Sequence, residues 1–195
     1  MLVEIEAAPR AAVPLAEFAA HLRLGEGFGE AEEAVLDLYL RAATAAVEGM
    51  AGLALIARRF RWTVARWRDP RRVRLPIAPV VRIDGVTVVG PDGGWTAVDA
   101  GEVRLEADAV RPRLVGARGG ALPTIPVDGR AEVELTAGFG DDWNAVPEAL
   151  RQAVLLLAAH YHEQRHVTVG AEDAAPFGVR GADRAVPGGA AGEGG

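Results

Sequence analysis

Residues 162–166 read H-E-x-x-H, the spacing by which two histidines on one helix face bind zinc. In a zinc hydrolase, the intervening glutamate acts as general base on the metal-bound water. A catalytic zinc also needs a third protein ligand, and no histidine follows His166 in the sequence. We therefore reject a metal site formed by His162, Glu163 and His166, and we expect no catalytic residue and no cofactor. A small zinc hydrolase remains the alternative from the enzyme class.

A compact run of positive charge is the second candidate site. Residues 58–74 carry eight arginines against one acidic residue, in a chain whose net charge is −6. The eight are Arg58, Arg59, Arg61, Arg66, Arg68, Arg71, Arg72 and Arg74. They interleave with Phe60, Trp62 and Trp67, a mixture that suits a phosphate backbone or single-stranded bases. The alternatives are a solvent-facing strand with its aromatics inward, or an interface with the acidic surface of a neighbouring subunit.

Two Gly-Phe-Gly stretches, at 27–29 and 138–140, each precede a predicted helix. Glycine-rich loops in that position can hold phosphate. Acidic residues follow both stretches, and the chain has no lysine for a phosphate-binding loop. We interpret both stretches as turns that lead into helices.

Composition bounds the class of protein. A chain of 195 residues, half of them apolar, is long enough for one domain with a buried core. The absence of cysteine excludes disulfides and cysteine-ligated metal. The longest clean apolar run, 153–159, is too short to span a bilayer, and the N-terminus lacks a basic leader region. The sequence therefore predicts a soluble protein kept inside a cell, with no membrane partner.

Helical periodicity predicts helices over 15–24, 30–50 and 146–166. The second helix carries a narrow stripe of mostly small side chains, which would allow close helix–helix approach within the chain or between subunits. Its members are Ala31, Val35, Leu38, Ala42, Ala45 and Ala46.

The region 58–136 shows period-two alternation and predicts antiparallel strands. Asp84-Gly85 is interpreted as a turn between two of these strands, and 106–130 as a long loop. The expected fold is α+β: a small bundle of two N-terminal helices and a long C-terminal helix, with the β region inserted between them. We expect one domain over 1–170 and an extended tail over 171–195, whose last ten residues are disordered by composition.

Several segments together resemble the head–tail connector (adaptor) proteins of long-tailed bacteriophages, prophages and gene transfer agents. The similarity covers roughly 14–180 and is carried by LAEFAAHLRL at 15–24, by the Trp-containing 59–86 and by 134–165, with its T-A-G-F-G turn and V-P-x-x-L-R-x-A helix. Pro176, Phe177, Gly178 and Val179 resemble a short motif that often follows.

The resemblance implies a structural subunit without catalysis, assembled in the bacterial cytoplasm and located at the head–tail interface of a particle. Such connectors form a ring, usually of twelve subunits, below the portal, and double-stranded DNA passes through it without sequence readout. The tail segment Pro176, Phe177, Gly178, Val179 and Arg180 is implied to dock on the portal. The opposite face would receive the tail-side stopper or terminator protein.

Overall fold

A computed structural model describes residues 1–9, 12, 14–24 and 29–164. Met1–His162 forms one compact unit. Glu163–Gly195 forms a second unit, of which the structure describes Glu163 and Gln164. No helix among the described residues is long and apolar enough to cross a membrane.

Three helices occupy the predicted regions, which with the antiparallel sheets below confirms the α+β fold. They are α1 (Leu15–His21), α2 (Glu30–Ala51) and α3 (Glu148–Gln164). Acidic residues fill the first turn of α2, where they favour the positive end of the helix dipole. Gly52, with φ of 68°, ends α2 in the left-handed conformation that glycine adopts without strain.

The helix α2 buries a different face from the predicted stripe. Leu36, Leu40, Ala43 and Val47 face the helical core, where they pack with residues of α1 and α3. Leu38, in contrast, is 61% exposed on the opposite side. The predicted small-residue stripe was therefore wrong as the intrachain face, because the larger Leu36 and Leu40 bury more apolar area.

The β region forms two antiparallel sheets. The five-stranded sheet has the order β1-β2-β8-β4-β5, and the three-stranded sheet has the order β3-β7-β6. In chain order the strands are β1 (Leu2–Glu4), β2 (Arg58–Val64), β3 (Arg72–Arg74), β4 (Val80–Val89), β5 (Trp95–Ala97), β6 (Val103–Glu106), β7 (Arg113–Gly116) and β8 (Arg130–Ala137). The strand β8 lies at the centre of the larger sheet, and its Ala131, Val133, Leu135 and Ala137 are fully buried.

Two local expectations for the β region were wrong. Asp84-Gly85 is not a turn, because β4 runs continuously through it with register irregularities on either side of Arg82 and Ile83. The Asp84 carboxylate instead accepts a 2.8 Å hydrogen bond from the Thr136 hydroxyl on β8. The segment 106–130 is not all loop, since it contains β7, a strand of four residues.

Candidate functional surfaces

The first arginine of the basic run lies in an ion-pair cluster inside the subunit. Arg58, at the start of β2, donates two hydrogen bonds to the Glu48 carboxylate on α2, at 2.9 and 2.8 Å. Its Nε donates to Glu4 of β1 at 2.7 Å. Glu48 also accepts the Leu55 backbone N–H at 2.7 Å. One guanidinium thus connects α2, β1 and β2.

Burial and pairing together hold Arg58 in its charged form. The Arg58 and Glu48 side chains are only 11% and 12% exposed. Burial acts to lower the pKa of Arg58, but the hydrogen bonds to Glu48 and Glu4 outweigh it and raise the pKa above its ordinary value. The guanidinium carbon also lies 5.0 Å from the Phe60 ring centroid. Arg58 is therefore a structural residue, with its donors directed at partners within the subunit.

The next two arginines pair across the sheet with β8. Arg61 lies directly opposite Glu134 in the β2–β8 register and donates to it at 2.7 Å. Arg59 donates to the other oxygen of the same carboxylate at 2.9 Å. The hydrogen bond to Glu134 is the main reason that the pKa of Arg61 is raised. This part of the run is the outer face of β2, with Phe60 buried between the arginines.

The remaining five arginines of the run are exposed. They lie on β3 and on the loop before it, and the three-stranded sheet adds Arg104 and Arg113 from distant segments. The register places Arg74 opposite Arg113, and Arg72 in one row with Val115 and Arg104. We call Arg72, Arg74, Arg104 and Arg113 the basic face, in which Glu106 lies opposite Arg113 at 3.7 Å. Val115 is buried within this face, as expected where arginine stems lie along apolar surface.

Sequence reasoning did not find Arg104 and Arg113, because they lie far along the chain from the arginine run. The available signal was the alternation of arginine with an apolar residue at 72–74, which recurs at 103–105. Such alternation predicts strands with one charged face. Pairing those strands would have predicted the basic face.

Asp69, in the loop before β3, is expected to titrate below the ordinary aspartate value of about 3.9. Its pKa is lowered first by the Arg71 backbone N–H, which donates at 2.8 Å, and then by the Arg72 side chain. Because the folded-state pKa is depressed, the stabilisation is present above the ordinary value and is lost as pH falls through the lowered one. An NMR titration of the Asp69 carboxyl carbon measures this shift.

Arg72→Gln is the matched variant for this titration. The substitution removes the Arg72 guanidinium, which lowers the pKa of Asp69 less than the Arg71 backbone N–H does. That N–H is kept, so the pKa of Asp69 should stay mostly depressed. Loss of the whole depression in Arg72→Gln would contradict the assignment to the backbone hydrogen bond.

The first three residues of the H-E-x-x-H motif, 162–164, are the last residues of α3. The His162 ring packs edge-on against Tyr39 of α2, with ring centroids 6.2 Å apart and an interplanar angle of 89°. Glu163 is exposed, and His166 lies outside the described residues. Among the residues that the structure describes, no three His, Cys, Asp or Glu side chains are grouped to hold a metal ion. The contact with Tyr39 gives His162 a role in packing α3 on α2.

The second Gly-Phe-Gly stretch connects the β region to the helices. Its Gly138 N–H donates to the Pro79 carbonyl at 2.9 Å, and its Gly140 carbonyl accepts from Ala57 at 2.7 Å. The 3-10 turn Trp143–Ala145 and then α3 follow. The predicted portal-docking residues 176–180 lie outside the part of the chain that the structure describes.

Comparison with solved structures identifies the family. One chain, from the neck of an empty gene transfer agent particle computed with C6 symmetry, is 50% identical with a TM-score of 0.79, over 91% of this chain and 90% of the other. A chain from the virion of a native gene transfer agent particle is 49% identical with a TM-score of 0.77, over 89% of each chain. A third, from a native neck computed with C12 symmetry, is 47% identical with a TM-score of 0.75, over 92% and 90%.

No protein-family model and no curated protein matches the chain. The similarity to solved structures extends over nearly the whole length at about half identity, so it concerns more than the fold. The α+β chain is a structural protein of a particle neck. It belongs to the head–tail connector family of gene transfer agents and long-tailed phages, as the sequence motifs predicted, and its place is the head–tail interface.

Proposed function

We propose that this chain is a ring-forming connector subunit that joins the portal to the tail and lets double-stranded DNA pass through its centre. The similarity to neck chains over about nine tenths of the length carries the proposal. Those necks were computed with C6 and C12 symmetry, and a ring of twelve identical subunits is compatible with both. The role is structural and involves no chemical step and no cofactor.

A closed ring requires two different, complementary faces on each subunit. The described residues supply patches of opposite charge: Glu30 and Glu33 are exposed on the first turn of α2, and Arg104 and Arg113 lie on β6 and β7 of the three-stranded sheet. The outer side of α2 adds exposed apolar area at Leu38 and Ala42. These surfaces support assembly between copies.

The DNA in the ring is proposed to move without sequence readout. Sliding requires weak contacts to the phosphate backbone, since strong base contacts would halt it. A chain with net charge −6 limits non-specific attraction to phosphates. The two remaining partners are the portal, bound through residues 176–180, and the tail-side stopper or terminator protein, bound on the opposite face.

Negative-stain microscopy of the purified chain mixed with its portal tests the proposal. We expect class averages that show a ring coaxial with the portal and with twelve-fold symmetry. The portal alone should lack this ring. A chain that stays monomeric at micromolar concentration and never engages the portal would overturn the ring proposal.

Two truncations test the docking tail separately from the ring. Removing 171–195 deletes the proposed docking residues 176–180, so we expect the portal to fail to co-sediment with the chain. Removing only 186–195 spares them and should leave co-sedimentation unchanged. Equal binding by both truncated chains would show that the tail does not dock the portal.

A further inference from the structure

A groove of about 700 Å³ lies beside the three-stranded sheet. One wall is formed by 72–75, which comprises β3 and the residue after it, and the other by 62–64 of β2 together with Met1. Four consecutive residues line the first wall. This is expected where a strand presents its edge, because a strand face exposes only alternate residues.

The hydrogen-bond pattern shows which backbone groups face away from β7. Gly116 N–H donates to the Arg71 carbonyl and Leu75 N–H to the Pro112 carbonyl, both at 2.9 Å. In an antiparallel ladder, every second residue directs its main-chain N–H and C=O at the neighbouring strand, and the residues between direct theirs away from it. Arg71 and Leu75 are bonded to β7 or its flanking residues, so Arg74 belongs to the second kind. The main-chain groups of Arg74 are therefore turned toward the outer edge of β3. Since β3 is an edge strand of its sheet, that edge is open for another strand.

The rim of this groove is cationic. Arg66, Arg68, Arg72 and Arg74 line it. Among the described residues, Arg66 and Arg68 have no side-chain hydrogen bond or ion pair, and Arg74 makes only a 3.4 Å contact with the Val110 carbonyl. Arg72 is 62% exposed and reaches Asp69 at 3.3 Å. Like charges gathered around one groove repel each other, and carboxylates in the groove would offset that cost.

The floor of the groove is apolar. Leu75 and Ile77 are buried beneath it, and Trp62 is half-buried at its side. An extended segment that alternates acidic and apolar residues fits all three properties. Its main chain would pair with β3, its carboxylates would meet the arginines, and its apolar side chains would contact the floor.

We propose that this groove binds an extended acidic segment of a partner protein by adding a strand to the edge of β3. A DNA duplex fits less well, because it presents phosphates on a convex surface and has no main chain to pair with a strand. A second copy also fits less well, since the described acidic residues lie in helices, in turns or in ion pairs. The inference goes beyond the ring proposal and does not depend on it.

Fluorescence anisotropy on the full chain tests the groove, with a labelled Glu-Val-Glu-Val-Glu-Val-Glu peptide as the probe. Arg66→Gln combined with Arg68→Gln should weaken binding at least about tenfold, equivalent to about 1.4 kcal/mol. Arg59→Gln combined with Arg61→Gln removes the same charge from the same run at residues already paired with Glu134, and should leave affinity within about threefold. Circular dichroism confirms that both variants are folded.

A peptide N-methylated at alternate residues tests the strand addition itself. It keeps the charge and loses main-chain donors, so it should bind at least about tenfold more weakly than the unmodified probe. The proposal is overturned if the wild-type chain does not bind the probe, or if both arginine pairs weaken it equally. Tighter binding of a 12-nucleotide single strand or duplex would assign the groove to DNA. Self-association lost only in the Arg66 and Arg68 variant would assign it to a second copy.

Discussion

Replacing Glu48 with Ala is expected to lower the free energy of unfolding by about 3 kcal/mol, a large share of a typical domain's stability. The Glu48 carboxylate is 12% exposed and accepts two hydrogen bonds from Arg58 and one from the Leu55 N–H. Its removal leaves a largely buried guanidinium whose remaining carboxylate partner is Glu4, which is itself 40% exposed. Urea unfolding with linear extrapolation measures the loss.

Two variants determine whether the Glu48 effect comes from burial and pairing. Asp37→Ala removes an acid from an exposed i,i+4 pair with Arg41 on the same helix and should cost about 0.5 kcal/mol or less. Glu48→Gln keeps an acceptor for the Leu55 N–H but removes the charge. Its loss of unfolding free energy should therefore lie between those of Glu48→Ala and Asp37→Ala. Equal costs for Glu48→Ala and Asp37→Ala would contradict the role of the Arg58 cluster.

Replacing Gly138 with Ala is expected to cost about 3 kcal/mol or more, because two unfavourable effects add. Gly138 has φ of 141°, a conformation that side-chain-bearing residues rarely adopt. An added Cβ would also overlap the Ala57 backbone N and Cα. Those are main-chain atoms, so a change of rotamer cannot relieve the clash. Thermal unfolding should show a large decrease in the melting temperature.

Gly85→Ala is the matched control for this prediction. Gly85 lies at the irregular point of β4, and no heavy atom comes within 4 Å of the Cβ position. Its φ is not positive, so the substitution should change stability by no more than about 0.5 kcal/mol. If Gly138→Ala is tolerated as well as Gly85→Ala, the close approach of the turn to Ala57 does not hold in solution.

The extent of α2 could be predicted from sequence to within one residue at its C-terminal end, because both of its end signals are local. Acidic residues occupy its first turn and Gly52 terminates it. Its buried face could not be predicted, since the small-residue stripe and the Leu36–Leu40 face both repeat with helical period. The choice between them depends on α1 and α3, which are distant in sequence.

In the β region, too, contacts between residues distant in sequence decide the structure. Asp84-Gly85 has the composition of a turn, but the Asp84 carboxylate bonds Thr136, more than fifty residues away. The strand β7 is short, follows Pro112 and ends in Gly116, so its alternation is too brief to recognise. In both places tertiary contacts overrode local preference.

The sequence predicts where the charged residues cluster along the chain, but it does not predict which of them are buried in ion pairs and which are exposed. Arg58 and Arg66 have the same residue type in the same run, yet one is buried in an ion-pair cluster and the other is exposed. Their difference is set by Glu4 and Glu48, neither of which is adjacent to the run. The structure thus divides a uniform charge run into an internal part and an external part.

The central position of β8 has a consequence for the order of events during synthesis. Its neighbours β2 and β4 are complete by residue 89, yet both must wait for 130–137 before they gain their common partner. Closing such long loops is entropically costly and makes folding slow relative to local helix formation. A nascent chain therefore exposes one unpaired edge on β2 and one on β4 for roughly forty residues of elongation, and the five-stranded sheet closes only after β8 has been made.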